Sequence, residues 1–199
     1  MDLSRLSEHA PTEVTDEERE AAVLAPVVTR EARPHLMFVK RSADLSSHAG
    51  QMAFPGGGRE PTDADLRETA LREAREEAEV DPGETEVVGR LDDIRTTSRY
   101  SVRPYVARVP DREYAPDGVE VTEVAVLAVE DLIDRSNYDS ERRDHPYYGD
   151  IRLHYFRVDG YVVWGATARI LAQLLELTTD WTVPEEPDRH VEPDAEFRV

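Results

Sequence analysis

Short apolar runs separated by turn residues recur along the chain, and they predict most of its strands. The runs with strand character cover residues 23–29, 36–40, 51–54, 86–91, 102–109 and 124–129. Residues 152–156 and 160–163 are spaced like the two arms of a hairpin, and residues 31–34 form a turn between the first two runs. Runs of β-branched and aromatic residues bounded by glycine, proline and aspartate are typical of strands.

Two longer segments have the helical period instead. We predict that Thr62 or Asp63 caps a helix over residues 63–78 and that the sequence Asp81-Pro82-Gly83 ends it. Residues 166–177 predict a second, apolar helix, and residues 130–134 a short one. In the first helix the apolar side chains fall in one arc of about 140°, as expected for packing on a sheet; they are Leu66, Ala70, Leu71, Ala74 and Ala78.

Strands that alternate with two helices predict one layered α/β domain. We place this domain at residues 23–180. Residues 1–22 are a polar N-terminal extension that we expect to be partly helical, because Thr15 precedes Glu18 in a capping-box arrangement over residues 15–22. Residues 181–199 are acidic and contain few apolar side chains, so we expect a flexible tail.

The charge balance excludes several classes of partner. The 199 residues include 43 acidic side chains against 24 lysines and arginines, a formal net charge of −19. Such a surface repels nucleic acids and anionic membranes, so we expect neither as a partner. No apolar run approaches the ~20 residues of a membrane-spanning helix, and the polar start of the chain does not resemble a signal peptide. We therefore expect a cytoplasmic protein.

Three glutamates in the first long helix predict a metal site. Glu73, Glu76 and Glu77 fall within an arc of about 100° beside the apolar stripe, because positions three and four apart share a helix face. Their like charges repel one another, and a bound dication removes that penalty. Mg²⁺ prefers oxygen ligands and often shares them with substrate phosphates. With no cysteine in the chain, thiolate sites are excluded, and Arg72 is placed to hold a carboxylate in position.

Glycines before this helix support the same interpretation. Gly56, Gly57 and Gly58 allow the backbone to approach a ligand closely. The alternative is a solvated acidic helix preceded by a flexible loop, since charge runs on helices are usually solvated faces. We prefer the metal site because the glycine loop, the helix cap and the glutamate cluster occur together.

The segment from Gly58 to Val80 resembles the Nudix box, in which a glycine and a spacer precede R-E-U-x-E-E-x-G-U, where U is apolar. The resemblance implies an α/β/α sandwich with a mixed β-sheet, and Mg²⁺- or Mn²⁺-dependent hydrolysis of a nucleoside diphosphate linked to another group. It also implies that the three glutamates bind the metal and act in catalysis. The chain supplies Gly58 and then Arg72-Glu73-Ala74-Arg75-Glu76-Glu77-Ala78-Glu79-Val80.

Two positions depart from the box. Its earlier glutamate would fall at Ala64, and its late glycine falls at Glu79. The candidates to replace the missing carboxylate are Asp63, Asp65 and Glu68. The change at Glu79 concerns the end of the helix and does not affect the metal.

Segments on both sides of the box are similar to the coenzyme A diphosphatase subgroup of this family, whose members often lack the first box glutamate. The similarity covers about residues 23–177, although Ser46 stands where the subgroup often has a basic residue. It implies cleavage of coenzyme A or acyl-coenzyme A to phosphopantetheine and adenosine 3′,5′-bisphosphate. The matching segments are Lys40-Arg41-Ser42, Leu45, His48-Ala49-Gly50-Gln51-Met52-Ala53-Phe54-Pro55-Gly56-Gly57 and Tyr161-Val162-Val163-Trp164-Gly165-Ala166-Thr167-Ala168.

Further side chains are candidates for contacts with the substrate and the metal. Arg41, His48 and Arg59 join the three glycines as candidate substrate contacts, because a planar guanidinium suits phosphate oxygens. The alternatives are a surface ion pair for Arg41, local backbone hydrogen bonds for His48 and a solvated loop position for Arg59. Glu120 and Glu123 lie where Nudix enzymes recruit a further carboxylate, and we take Glu123 as the extra base or ligand.

Two other functions stay open. One is hydrolysis of another nucleoside diphosphate derivative, such as ADP-ribose, NADH or a damaged nucleotide. The other is a non-catalytic Nudix module that binds a nucleotide, although such modules usually lose box glutamates. The sequence does not determine acyl-chain preference, the choice between Mg²⁺ and Mn²⁺, the general base or the oligomeric state, and a homodimer is compatible with it.

The charge balance also predicts a response to salt. Lys40 is the only lysine, and an acidic, lysine-poor chain is typical of halophile proteins, in which counterions screen the self-repulsion. A GC-rich genome explains the scarcity of lysine equally well.

Under the salt hypothesis, the melting temperature rises from dilute buffer to molar KCl, as a thermal melt measures. A melting temperature that stays the same across this range would contradict the hypothesis.

Overall fold

A computed structural model describes residues 1–44, 49–96, 98–145 and 149–199, with only the backbone given for His145. A 3₁₀ helix lies at Leu3–Glu8, and the α-helices are α1 (Leu66–Ala78), α2 (Val129–Leu132) and α3 (Gly165–Thr178). The strands are β1 (Arg19–Arg30), β2 (Arg33–Arg41), β3 (Met52–Ala53), β4 (Gly56–Gly58), β5 (Glu86–Arg90), β6 (Ile94–Arg95), β7 (Tyr100–Val109), β8 (Val121–Ala128), β9 (Tyr138–His145), β10 (Gly149–Val158), β11 (Tyr161–Trp164) and β12 (Arg189–His190).

The larger of two sheets is mixed. Its path runs β3-β2-β1-β7-β5, and β8 pairs with β2, β4 with β1, and β6 with β7. Strand β1 is parallel to β7 and antiparallel to β2. Glu31 and Ala32 join β1 to β2 with φ of 49° and 61°, the pair of left-handed conformations that suits a tight hairpin. The second sheet has the order β11-β10-β9-β12.

The larger sheet separates two apolar clusters, because successive side chains of a strand point to opposite faces. On one face, Leu24, Met37 and Val39 pack with the alanines of α1. On the other face, Leu36 and Phe38 pack in a cluster that includes α3 and the second sheet. The layers are therefore α1, the larger sheet, and α3 with the second sheet. This arrangement confirms the predicted α/β/α sandwich with a mixed sheet.

Most of the predicted elements are confirmed. Residues 23–29, 36–40, 86–91, 102–109, 124–129 and 166–177 coincide, apart from their ends, with β1, β2, β5, β7, β8 and α3. The predicted hairpin is formed by β10 and β11, which pair antiparallel. Of the helices in the described ranges, none combines the length and the hydropathy needed to cross a bilayer.

The helical turn predicted for residues 15–22 is wrong. Strand β1 begins at Arg19 and pairs with β7 from its first residue. The N-terminal helical segment lies earlier, at Leu3–Glu8, where the Asp2 carboxylate accepts the Ser4 N–H. A parallel partner strand along residues 19–28 overrides the local capping-box signal, since tertiary context outweighs helix propensity.

Helix α1 begins later than predicted. Its N-cap is Asp65 rather than Thr62 or Asp63. The Asp65 carboxylate accepts the Glu68 N–H at 2.9 Å, and the Glu68 carboxylate accepts the Ala64 N–H at 2.6 Å. This reciprocal pair is a capping box, and it leaves Asp63 free for a different role.

Glu79 closes α1 in the left-handed conformation, with φ of 54°. Its N–H donates to the carbonyls of Ala74 and Arg75. Glycine adopts this conformation at lower cost than other residues, which accounts for the glycine that the box pattern has here. The departure at Glu79 therefore concerns the helix end, as predicted.

The expectation of a flexible tail is corrected, because the C-terminal residues contact the second sheet. Strand β12 pairs with β9, and the Asp188 carboxylate accepts the Ser140 N–H at 2.9 Å. Arg143 donates to the Ala195 carbonyl at 2.9 Å and lies over the Phe197 ring. Polar contacts of this kind leave no apolar pattern in the sequence. The domain boundaries near residues 22 and 180 stay predictions.

Candidate active site

A buried carboxylate just before α1 holds the box arginine, Arg72, in position. Asp63 is 6% exposed and accepts hydrogen bonds from Nε and Nη2 of Arg72, at 2.9 and 3.1 Å. It also accepts the Thr69 hydroxyl and the Glu60 N–H, each at 2.9 Å. The hydrogen bonds from Arg72 lower the pKa of Asp63, so this side chain stays ionised. Of the three candidates for the missing box glutamate, Asp63 is the one that holds the box arginine; the other two form the helix cap.

Arg72 connects the glycine strand with the box glutamates. Its Nη1 donates to Glu73 Oε1 at 2.9 Å and to Glu76 Oε2 at 3.1 Å. Its Nη2 also donates to the Gly58 carbonyl at 3.1 Å. Because the guanidinium is planar and its donors point in fixed directions, these contacts set the position of β4 relative to α1.

Glu77 is the most buried of the three box glutamates, at 3% exposure. Its Oε2 accepts the Gly56 N–H at 2.9 Å, and its Oε1 lies 3.6 Å from Nη1 of Arg41. Burial raises the pKa of the Glu77 carboxyl to about 7, because it disfavours the charged form more than this N–H and the Arg41 charge favour it. The Nε of Arg41 is buried and has no hydrogen-bond partner among the described residues.

The three glycines of β4 differ in how much space neighbouring atoms leave for a side chain. A methyl group added at Gly57 would lie 2.5 Å from Glu73 Oε1. One added at Gly56 would overlap the Ala22 carbonyl of β1, whereas one at Gly58 would find its nearest atom 3.9 Å away. Gly57 is therefore the position at which the absence of a side chain leaves room for a box carboxylate.

A fourth carboxylate, that of Glu120 in the loop before β8, affects the box glutamates electrostatically. In addition to burial, the negative charge of Glu120 raises the pKa of both Glu73 and Glu77. The Glu120 side chain is exposed, and its backbone carbonyl accepts the Ser42 N–H at 2.7 Å. The charge of Glu120 is thus near enough to Glu73 and Glu77 to affect both carboxyl groups.

The three box glutamates do not close around one point in this structure. The Glu76 side chain is 59% exposed, against 17% for Glu73, and Arg72 bridges the two. No group of three histidine, aspartate or glutamate side chains within the described ranges is arranged to hold an ion. Arg72 and Arg41 therefore supply part of the positive charge that offsets the repulsion among the three carboxylates.

The donor set nevertheless fits a divalent cation. Glu73, Glu76, Glu77 and Glu120 present carboxylate oxygens, which are the ligands that Mg²⁺ prefers. Burial is the main cause that raises the pKa of Glu73 and Glu77, and the charges of neighbouring glutamates add to it. A cation placed beside these groups would favour their ionised forms.

Arg59 lies away from the cluster. It pairs with Glu20 at 2.9 Å and donates to the Ala64 carbonyl at 3.3 Å. Its side chain lines an open cavity of about 410 Å³ together with Tyr100 and Gly58. The remaining substrate candidate, His48, lies outside the described residues.

Glu123 faces the other side of the larger sheet, which corrects its expected position. It lies opposite Lys40 in the pairing of β2 with β8 and accepts a hydrogen bond from the Tyr161 hydroxyl. The pairing then shifts register between Lys40 and Arg41, so that Arg41 lies opposite Val121. A bulge of this kind changes which face the side chains point to. Alternation along the sequence does not reveal it: Val121 packs on the α1 face, although Glu123, two residues later, points to the other face.

Comparison with known proteins identifies the family. A model of the NUDIX domain matches residues 18–148. A protein of Photorhabdus laumondii named Nudix hydrolase NudL, which is uncharacterized, is 34% identical over 170 residues, covering 83% of this chain and 88% of its own. The protein of the same name from Citrobacter koseri is 39% identical over 160 residues, covering 78% and 81%.

A solved structure agrees with the fold. A MutT/nudix family protein from Enterococcus faecalis superposes with a TM-score of 0.50 at 11% identity, covering 79% of this chain and 54% of its own. That likeness concerns the fold alone. The family model spans more than half of the chain and both relatives exceed 30% identity, so this chain belongs to the Nudix hydrolase family.

Proposed function

We propose that this Nudix hydrolase cleaves the diphosphate linkage of coenzyme A or acyl-coenzyme A, giving phosphopantetheine and adenosine 3′,5′-bisphosphate. The choice of substrate rests on the segments before and after the box, at residues 40–57 and 161–168. The observation that carries the proposal is the placement of Arg41, which the first segment supplies, against the buried Glu77. A guanidinium beside a box carboxylate is suited to bind a phosphate of the substrate.

Four carboxylates would hold the metal in this proposal. Glu73, Glu76 and Glu77 come from α1, and Glu120 replaces Glu123 as the additional carboxylate. When bound, Mg²⁺ or Mn²⁺ supplies positive charge at the bridging phosphates and lowers the pKa of a coordinated water. One of the four carboxylates takes the proton of the attacking water.

The chain's other groups orient the reactants. Arg72, itself held by Asp63, keeps Glu73 and Glu76 near the glycine strand. Arg41 has an unused buried Nε and would contact a phosphate, together with the backbone of β4. His48 stays a proposed phosphate contact. Arg59, at the cavity beside Gly58, stays a proposed contact for the part of the substrate beyond the diphosphate.

The solution conditions of the enzyme belong to the same proposal. A formal net charge of −19 supports a cytoplasmic location in a cell that accumulates salt, since counterions screen the repulsion among exposed acids. Assays in concentrated KCl therefore suit this protein better than assays in dilute buffer.

Substrate choice is tested by a product assay. With Mn²⁺ in concentrated KCl, we expect coenzyme A to be converted to phosphopantetheine and adenosine 3′,5′-bisphosphate, as read by mass spectrometry. ADP-ribose, NADH and an oxidised nucleoside triphosphate are run in parallel under the same conditions. Faster turnover of any of these than of coenzyme A would contradict the proposed substrate. Binding of a nucleotide without turnover, measured by titration calorimetry, would contradict hydrolysis itself.

The role of the buried box glutamate is tested with Glu77→Gln. The amide oxygen still accepts the Gly56 N–H, but the side chain loses the charge that a dication requires. We expect kcat to fall by about 100-fold or more with little change in melting temperature. Glu79→Gln is the matched control, because it removes one charge at the exposed end of the same helix. Undiminished turnover of a folded Glu77→Gln at saturating Mg²⁺ would remove the assignment.

The role of the glycine strand is tested by comparing Gly57→Ala with Gly58→Ala. The first substitution displaces the Glu73 carboxylate, whereas the second meets no atom closer than 3.9 Å. We expect Gly57→Ala to weaken Mn²⁺ binding by about tenfold and Gly58→Ala to leave it unchanged, with electron paramagnetic resonance as the readout. Equal Mn²⁺ affinities in the two variants would show that the space beside Glu73 is not used for the metal.

A further inference from the structure

Asp117 organises the loop that carries Glu120. Its carboxylate accepts three consecutive backbone N–H groups, from Val119 at 3.0 Å, Glu120 at 3.1 Å and Val121 at 2.8 Å. Gly118, with φ of 74°, donates to the Val121 carbonyl at 3.0 Å and closes the turn. Although burial opposes it, the three N–H groups together lower the pKa of Asp117. The side chain is therefore an ionised acceptor at neutral pH.

The same loop is fixed from the opposite side by strand β2. The Ser42 N–H donates to the Glu120 carbonyl at 2.7 Å. The backbone of Glu120 thus has hydrogen bonds on both sides. The next residue, Val121, lies opposite Arg41 in the pairing of β2 with β8, and the Arg41 guanidinium lies beside Glu77.

Electrostatics alone would move Glu120 away from this position. Its side chain is exposed, and it carries the same charge as the buried Glu73 and Glu77. A loop without restraints would let this carboxylate turn toward bulk water, where the repulsion is screened. The hydrogen bonds to Asp117 oppose that movement, because they fix the backbone from which the Glu120 side chain extends.

We propose that Asp117 is a positioning residue that holds Glu120 toward Glu73 and Glu77 as the fourth carboxylate of the metal site. The inference rests on the proposed function, since it concerns the ion that the box glutamates would hold. Asp117 does not itself contact the ion. Its effect passes through the backbone of Glu120, so it depends on that carboxylate being present.

The test measures Mn²⁺ binding by electron paramagnetic resonance in molar KCl, which suppresses nonspecific binding to the acidic surface. The variants are Glu120→Gln, Asp117→Ala, Asp117→Asn and the double variant Asp117→Ala with Glu120→Gln. We expect the first two each to weaken Mn²⁺ binding by about tenfold. Asp117→Asn keeps an oxygen that accepts backbone N–H groups, so we expect its affinity to approach that of the wild type. The double variant binds no more weakly than Glu120→Gln alone.

A matched control comes from the same loop. Asp111 pairs with Arg30 at 3.0 Å on the protein surface, so Asp111→Ala removes one nearby charge without touching the turn. We expect it to bind Mn²⁺ as the wild type does. Melting temperatures of all variants are recorded without metal, and the rescue by Asp117→Asn separates positioning from a general loss of stability.

Three results would overturn the inference. They are wild-type Mn²⁺ affinity in Asp117→Ala, wild-type affinity in Glu120→Gln, and a double variant in which the two losses multiply. Failure of the proposed function gives a different pattern, because Glu77→Gln would then also leave Mn²⁺ binding unchanged. If Glu77→Gln abolishes binding while Asp117→Ala does not weaken it, the metal site stands and the positioning role is excluded.

Discussion

Negative charges brought close together are the constraint on which this site depends. Three box glutamates and Glu120 share a small region, and burial raises the pKa of two of them. The fold keeps them there through partners that are themselves fixed. The Arg72 guanidinium touches Glu73 and Glu76, and the buried Asp63 holds that guanidinium with two hydrogen bonds. Breaking one side of such a buried pair costs about 3–5 kcal/mol, so this arrangement resists rearrangement.

The layers of the fold place these groups. Helix α1 packs on the larger sheet through small residues, and Ala70, Ala74 and Ala78 have no exposed surface. A close approach of helix and sheet brings the helix flank next to β4. Along that flank, Gly56 donates to Glu77 and Gly57 leaves room for Glu73. The glycine strand therefore forms one wall of the site, as well as giving the chain freedom to turn.

Two elements bring distant parts of the chain to this wall. The antiparallel pairing of β2 with β8 places Arg41 beside Glu77 and the start of β8 beside Ser42. The register shift in that pairing places Val121 opposite Arg41, while Glu123 lies opposite Lys40 and pairs with it on the other face of the sheet. The bulge thus lets Val121 pack on the α1 face, although Glu123, two residues later, points to the opposite face. Bulges beside functional sites often have this effect on side-chain direction.

The sequence alone determined the local features of this protein. Apolar periodicity predicted α1, α3 and most strands of the larger sheet, and the spacing of Glu73, Glu76 and Glu77 predicted one acidic patch, because both depend on residues a few positions apart. Only the tertiary structure decided the start of β1, the contacts of the C-terminal residues, the partner of Arg72 and the face to which Glu123 points. Each of these depends on pairing or burial between segments far apart in the chain, which leaves no periodic pattern in the sequence.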